Sequence, residues 1–300
     1  MNSASDTLAL QSDTKDHPPG RRLQRSEVAW AFAFLAPYLA VFAAFVAYPV
    51  AYGAWLAREP ALYGELLADP LFLGTVVNTM LYVGLGVNVM MFAAVLLSGF
   101  FMRREWWVRA LLAVYLFSWA LPAIPSFVSF HWMLIGEQGL IDSLLRELFG
   151  VEGPIWFNDQ RLALAWNVTA YVWKWMPFWT MVFLAGRMAI PQEIYEAAAI
   201  DGATGVRRFL HVVFPLLANI YLVSTLLATL WTVGDFNTVY LVSMGAPARS
   251  TDVLATLGFH YAFDAANPEL GVAAVMCALP LLVPLALVLM RRLQAGEVQL

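Results

Sequence analysis

Ile190-Pro191-Gln192-Glu193-Ile194-Tyr195-Glu196-Ala197-Ala198-Ala199-Ile200-Asp201-Gly202-Ala203-Thr204-Gly205 reads as two short helices meeting at a tight turn. Pro191 suits the first helical position, and Glu193 complements the positive end of the helix dipole. Ala197-Ala198-Ala199 forms helix readily and adds almost no bulk. Gly202 can end that helix in a left-handed conformation, and Thr204 can cap the next one. Asp201 can support the turn by bonding nearby backbone N–H groups. Such a small-residue helix flanked by acids is a surface another protein can approach closely. It would serve poorly against lipid.

Six apolar blocks surround this stretch, at approximately 28–57, 72–101, 107–135, 162–186, 212–243 and 271–290. Each is long enough for a hydrocarbon core of about 30 Å, which takes roughly 20 helical residues. The longer blocks are expected to tilt or to extend past the bilayer. Of the 300 residues 61% are hydrophobic and 13% charged, whereas soluble chains are roughly half apolar and about a quarter charged. A soluble domain is excluded. Backbone groups inside a bilayer must be satisfied within each segment, so the predicted fold is all-α, an integral membrane protein of six transmembrane helices. One domain, 25–295, is expected, preceded by a polar stretch, 1–24, read as a disordered cytoplasmic tail. The apolar block that follows is too long for a signal peptide. Cys277 stands alone, which excludes an intrachain disulfide and a cysteine-based metal site, and the four histidines lack ligand spacing, so no metal is expected.

The cations orient the helices. With the N-terminus inside, twelve Lys and Arg residues face the cytoplasm, including Arg103, Arg104, Arg187, Arg207 and Arg208; four face outside, and Lys174 lies within a span. That bias places both ends in the cytoplasm and the 189–211 stretch on the inner side. Between 136 and 161, outside, Leu140–Phe149 has the periodicity of a short surface helix.

Glu196-Ala197-Ala198, Asp201-Gly202-Ala203, Phe209 and Pro215 together resemble the EAA motif of permeases of bacterial ABC importers. Ile190-Pro191 and Tyr195 fit the flanks found in the carbohydrate-type branch. Phe236 to Pro247, with Ser250-Thr251, is similar to that branch's Gly-Gly-Pro segment, Ala246 standing where the second glycine is usual. Pro49, Asn78-Thr79, Gly139-Leu140 and Trp173-Lys174 also match, and the resemblance runs from about 25 to 292. It looks like the first-permease type of the two-permease sugar importers, similar to the maltose and glycerol-phosphate systems, without the large external insertion of the maltose type.

The resemblance implies a multi-pass inner-membrane subunit translocating a sugar, polyol or sugar derivative. The 189–205 loop would be a cytoplasmic coupling helix between helices 4 and 5 that docks on an ATPase. The implied partners are a second permease forming a heterodimer, two cytoplasmic ATPase subunits holding ATP and Mg, an extracytoplasmic solute-binding protein, and lipid. Neither nucleic acid nor a cofactor on this chain is implied. The sequence contains no Gly-x-x-x-x-Gly-Lys phosphate loop, so the chain is not expected to be an enzyme. Coupling is assigned to Glu196, Ala197, Ala198, Asp201, Gly202 and Ala203. No catalytic residue is expected.

The candidates for the solute pathway are Trp173, Lys174, Trp231, Asp235, Asn237 and Tyr240. A cation in mid-span costs about 2.5–3.5 kcal/mol unless it meets water or a partner. Lys174 therefore either touches solute or an anion, or is held structurally. Asp235 and Asn237 either line the cavity or mark the helix end. Tryptophans either stack on sugar rings or anchor the interface. Two rivals remain: an importer permease for another solute class, such as amino acid, phosphate or polyamine, and a secondary transporter. The second would require ion-coupling carboxylates inside the spans, which offer only Asp235.

Overall fold

The computed structural model describes residues 25–297, and the tail assigned to 1–24 lies outside them. Among the described residues the regular structure is entirely helical. The chain divides at Tyr52/Gly53 into two units. The first holds α1 (Arg25–Phe42), which passes through a π-helical turn at Ala43–Ala47 into α2 (Tyr48–Leu56), and the division falls within α2.

After the end of α2, the second unit continues with α3 (Pro60–Ala68) and α4 (Pro70–Phe101). Pro60 and Pro70 each open a helix, where a missing N–H costs nothing, and the Asp69 carboxylate caps α4 by accepting from Leu71 N at 2.7 Å. α5 (Trp106–Ala120) and α6 (Ala123–Leu134) follow, then α7 (Leu140–Phe149) and α8 (Gln160–Met188). α9 (Gln192–Ile200) and α10 (Gly205–Arg208) form a helical hairpin. After a π-helical turn at Phe209–Val213 come α11 (Phe214–Val233), α12 (Asn237–Val242), α13 (Leu254–Phe259), α14 (Pro268–Met276) and α15 (Leu279–Glu297).

Among the described residues, three helical runs are long and apolar enough to cross a membrane alone: Phe32–Leu56, Pro70–Phe101 and Gly205–Val233. A fourth is added if α5 and α6 make one crossing. Within the apolar block 107–135, expected as the third span, α5 and α6 meet at 95°. Pro122 has no N–H and disfavours helical geometry in the residue before it, and Leu121 sits at φ −62°, ψ 147°. The expected span 212–243 similarly stops at Val233, and 271–290 is divided between α14 and α15. α8 has the length, but Asn167, Lys174 and Arg187 interrupt its apolar surface and are buried. The amphipathic helix expected outside is present as α7, ended by Gly150 at φ +66°.

The core lies where α4 packs along α8. Val83, Val87, Met90, Met91 and Ala94 of α4 are buried in one cluster with Tyr171, Trp179 and Phe183 of α8, joined by Ala228 and Val233 of α11. α13 and α14 cross backbone to backbone. A Cβ on Gly271 would lie 2.5 Å from Gly258 O, so only glycine fits there. The outer face of α4 is the reverse of a soluble surface: Leu73, Val77, Leu81, Leu85, Val89, Phe92 and Leu96 form an exposed apolar stripe. A stripe of that length suits hydrocarbon, not water.

Candidate functional site

The α9–α10 hairpin is built on one glycine. α9 ends at Ile200, and Gly202 follows at φ +75°. Ala203 N donates to Ala198 O at 2.8 Å and Gly202 N to Ala199 O at 3.1 Å, the paired bonds of a Schellman ending. Two details differ from the sequence reading. Pro191 lies one residue before the helix, at φ −55° and ψ 140°, because its ring fits equally well at the cap. Thr204 occupies the cap of α10, but its hydroxyl makes no capping bond; its carbonyl accepts from Arg207 N at 3.1 Å.

The six coupling candidates lie on this hairpin. Glu196, Ala197, Asp201 and Gly202 are exposed, Ala203 is half-buried and Ala198 is buried against the body. Glu196 accepts a bond from Gln192 Nε2 at 2.8 Å, one turn away on α9. Ile200 is 87% exposed and Val206 72%, so the turn presents apolar side chains to its surroundings as well as acids. Beside the hairpin a cleft of about 1220 Å³ is walled by Leu96 and Gly99 of α4 and by Tyr195, Glu196, Arg208 and Leu210.

The pathway candidates fall into two groups. Asp235, Asn237 and Tyr240 lie where α11 gives way to α12, with Trp231 one turn earlier. Asp235 is half-buried and accepts from Tyr82 Oη at 2.6 Å, while Tyr171 Oη and Thr232 Oγ1 lie 2.6 Å apart beside it. Tyr240 stacks on Phe236 with centroids 4.6 Å apart; Asn237 is exposed. Trp231 lies over Trp179 at 5.6 Å. Trp173 and Lys174 instead belong to the bend after α5. Trp173 meets Phe130 edge-on at 5.2 Å. The Lys174 ammonium, 1% exposed, donates to the carbonyls of Ser118 at 2.9 Å, Trp119 at 3.3 Å and Leu121. A helix leaves its last carbonyls without partners, and here a lysine from α8 satisfies three in the last turn of α5 and at the bend.

Sequence reasoning missed the partners of these residues. Tyr82 and Asp235 are 153 positions apart, and nothing local couples them. It also left Asn78 and Thr79 without a role. Asn78 Nδ2 donates to Ser250 O at 2.6 Å and Asp252 O at 3.1 Å, and Thr79 Oγ1 accepts from Leu254 N at 2.9 Å. These bonds bring the Gly245-Ala246-Pro247 segment onto α4, with Thr251 Oγ1 donating to Ala246 O at 2.8 Å.

Residues 70–296 match the family described as "Binding-protein-dependent transport system inner membrane component". The chain belongs to this family. Among relatives of this permease, the sulfoquinovosyl glycerol transport system permease protein of Agrobacterium fabrum is 34% identical over 160 residues, 53% of this chain and 51% of that one. The trehalose/maltose transport system permease protein of Thermococcus litoralis is 36% identical over 149 residues, half of each chain. The chain thus spans about half the length of the curated relatives it matches. A bacterial alginate ABC transporter, solved in complex with an alginate pentasaccharide-bound periplasmic protein, shares the fold. Its TM-score is 0.79 at 17% identity, over 88% of this chain and 93% of that chain.

Proposed function

We propose that this permease is one of two pore-forming subunits of an ABC importer that brings a sugar or a related polyol or sugar derivative into the cytoplasm. The reading takes six crossings, counting the bent α5–α6 pair, α8 and the broken α14–α15 pair with the three long helices. Both ends and the 192–208 hairpin are then cytoplasmic. An ATPase subunit grips the hairpin through Glu196, Ala197 and the Asp201-Gly202-Ala203 turn. ATP-driven closure of two such subunits rocks the helices, and an extracytoplasmic binding protein delivers solute to a cavity near Asp235, Asn237 and Tyr240.

The observation that carries this reading is the exposed, glycine-ended helix α9, on the side where the Lys and Arg bias places the cytoplasm. Carbohydrate as the solute class draws support from the names of the two relatives and from the aromatic side chains flanking Asp235, a setting suited to hydroxyl-rich rings. The test is co-purification with the cognate ATPase subunit. Glu196→Lys should abolish most recovery of that subunit while the permease stays in the membrane; unchanged recovery removes Glu196 from the interface.

A further inference from the structure

Arg187, next to last in α8, is 6% exposed and makes bonds that the coupling motif does not account for. Its Nε donates to Ser98 Oγ at 2.7 Å and its Nη2 to Val95 O at 3.0 Å, both on α4. Gly99 leaves the room: a Cβ there would lie 3.4 Å from the guanidinium carbon. The same guanidinium stands over the Phe209 ring, 5.4 Å from its centroid, where the hairpin returns into α11. Its carbonyl accepts from Tyr195 Oη of α9 at 3.3 Å, and Arg208 of α10 lies over the Tyr195 ring at 5.8 Å. One residue at the end of α8 therefore touches α4, α9 and the base of α11.

Stability does not explain this arrangement. Among the described residues no carboxylate lies within ion-pair distance of Arg187. Neutral dipoles and a ring repay the desolvation of a guanidinium poorly, and an apolar side chain of similar volume usually serves a buried site as well or better. What arginine offers over such a side chain is geometry. Its planar fork fixes two donors on α4 and a stacking face toward Phe209 at once, which lysine cannot do.

We infer that Arg187 is a positioning residue, a strut that makes the 192–208 hairpin and the inner half of α4 move as one body. This rests on the coupling role proposed for the hairpin. In an importer driven from that side, a hairpin displacement would reach α4 through the Arg187–Ser98–Val95 contact. It would not be absorbed at the Ala189-Ile190-Pro191 link. The strut concerns transmission; docking of the ATPase is left to the exposed face of α9.

The test is a spin–spin distance between Ile200→Cys, on the exposed end of α9, and Val89→Cys, on the exposed face of α4, in a Cys277→Ser background. The complete transporter in nanodiscs is compared nucleotide-free and trapped with ATP and vanadate. With Arg187 present the distance should stay the same in both states. In Arg187→Met it should shift by a few ångström on trapping and broaden in both states, with the ATPase subunits still bound. Arg187→Lys should fall between the two. Equal shifts with and without Arg187, or a constant distance in both, overturn the strut. So does loss of ATPase subunits from both the Met and Lys variants, which would make Arg187 part of docking or of folding. If the native chain binds no ATPase, the proposed function fails. The width of the nucleotide-free distribution still judges the strut, since an unbroadened Arg187→Met overturns it.

Discussion

Lys174→Met separates the two readings of the buried lysine. The ammonium holds the carbonyls of Ser118, Trp119 and Leu121 at the end of α5, where Pro122 cannot continue the helix. Methionine fills similar volume and leaves those carbonyls without a donor. An unsatisfied buried polar group costs about 1–3 kcal/mol, so three of them set a gross penalty of several kcal/mol. Against it stands the desolvation of the ammonium, which methionine avoids and which is itself several kcal/mol. Relaxation of a helix end into neighbouring water lowers the penalty further, and a net loss of about 2–3 kcal/mol remains. Lys174→Arg, whose fork can still reach at least one carbonyl, should lose less. The assay is thermal unfolding of the purified permease in one detergent, followed by intrinsic tryptophan fluorescence; Trp119 and Trp173 flank the bend. The expected order of midpoints is native, then Arg, then Met, and hydrolysis stimulated by the solute-loaded binding protein in the assembled transporter should fall in step with stability. A Met variant that melts like the native protein yet loses stimulation would refute the structural reading and put Lys174 in contact with the solute.

At Gly202 nothing lies within 4 Å of where a Cβ would stand, so substitution there tests backbone conformation alone. With φ at +75°, alanine should cost roughly 1–2 kcal/mol, valine more and asparagine least. ATPase recovery should follow that order, Asn above Ala above Val; a flat series would show that the left-handed turn is not part of docking. Tyr261 donates to the Asp69 carboxylate that caps α4, and Tyr261→Phe should lower stability by about 1 kcal/mol. Burial, then the bond and charge of Asp69, hold the Tyr261 phenol above its ordinary value. Its contribution is full below the unfolded value near 10 and is lost as pH rises toward the folded value, so native and Tyr261→Phe melting points should converge above about pH 10. A gap that stays constant through that range would show that the phenol does not titrate with folding.

The division between what could and could not be read in the sequence follows physical range. Apolar blocks and the Gly202 turn are written within a few residues, and both were legible. The bend at Leu121-Pro122 was equally local, but hydropathy registers burial and is blind to a missing N–H. The partners of Lys174, Asp235 and Arg187 come from other helices, 53 to 153 residues away, and no spacing rule connects them. Asn78-Thr79 shows the intermediate case. The residues were noticed for their similarity to a known pattern, and only the fold shows that they hold the 250–254 backbone.

The most direct test of the account is the accessibility of Thr204→Cys, exposed at the tip of the hairpin, in a Cys277→Ser background. A membrane-impermeant thiol reagent should label it in inside-out vesicles and leave it unmodified in right-side-out ones, and bound ATPase subunits should protect it. Labelling from the outside, or equal labelling with and without those subunits, would contradict the account.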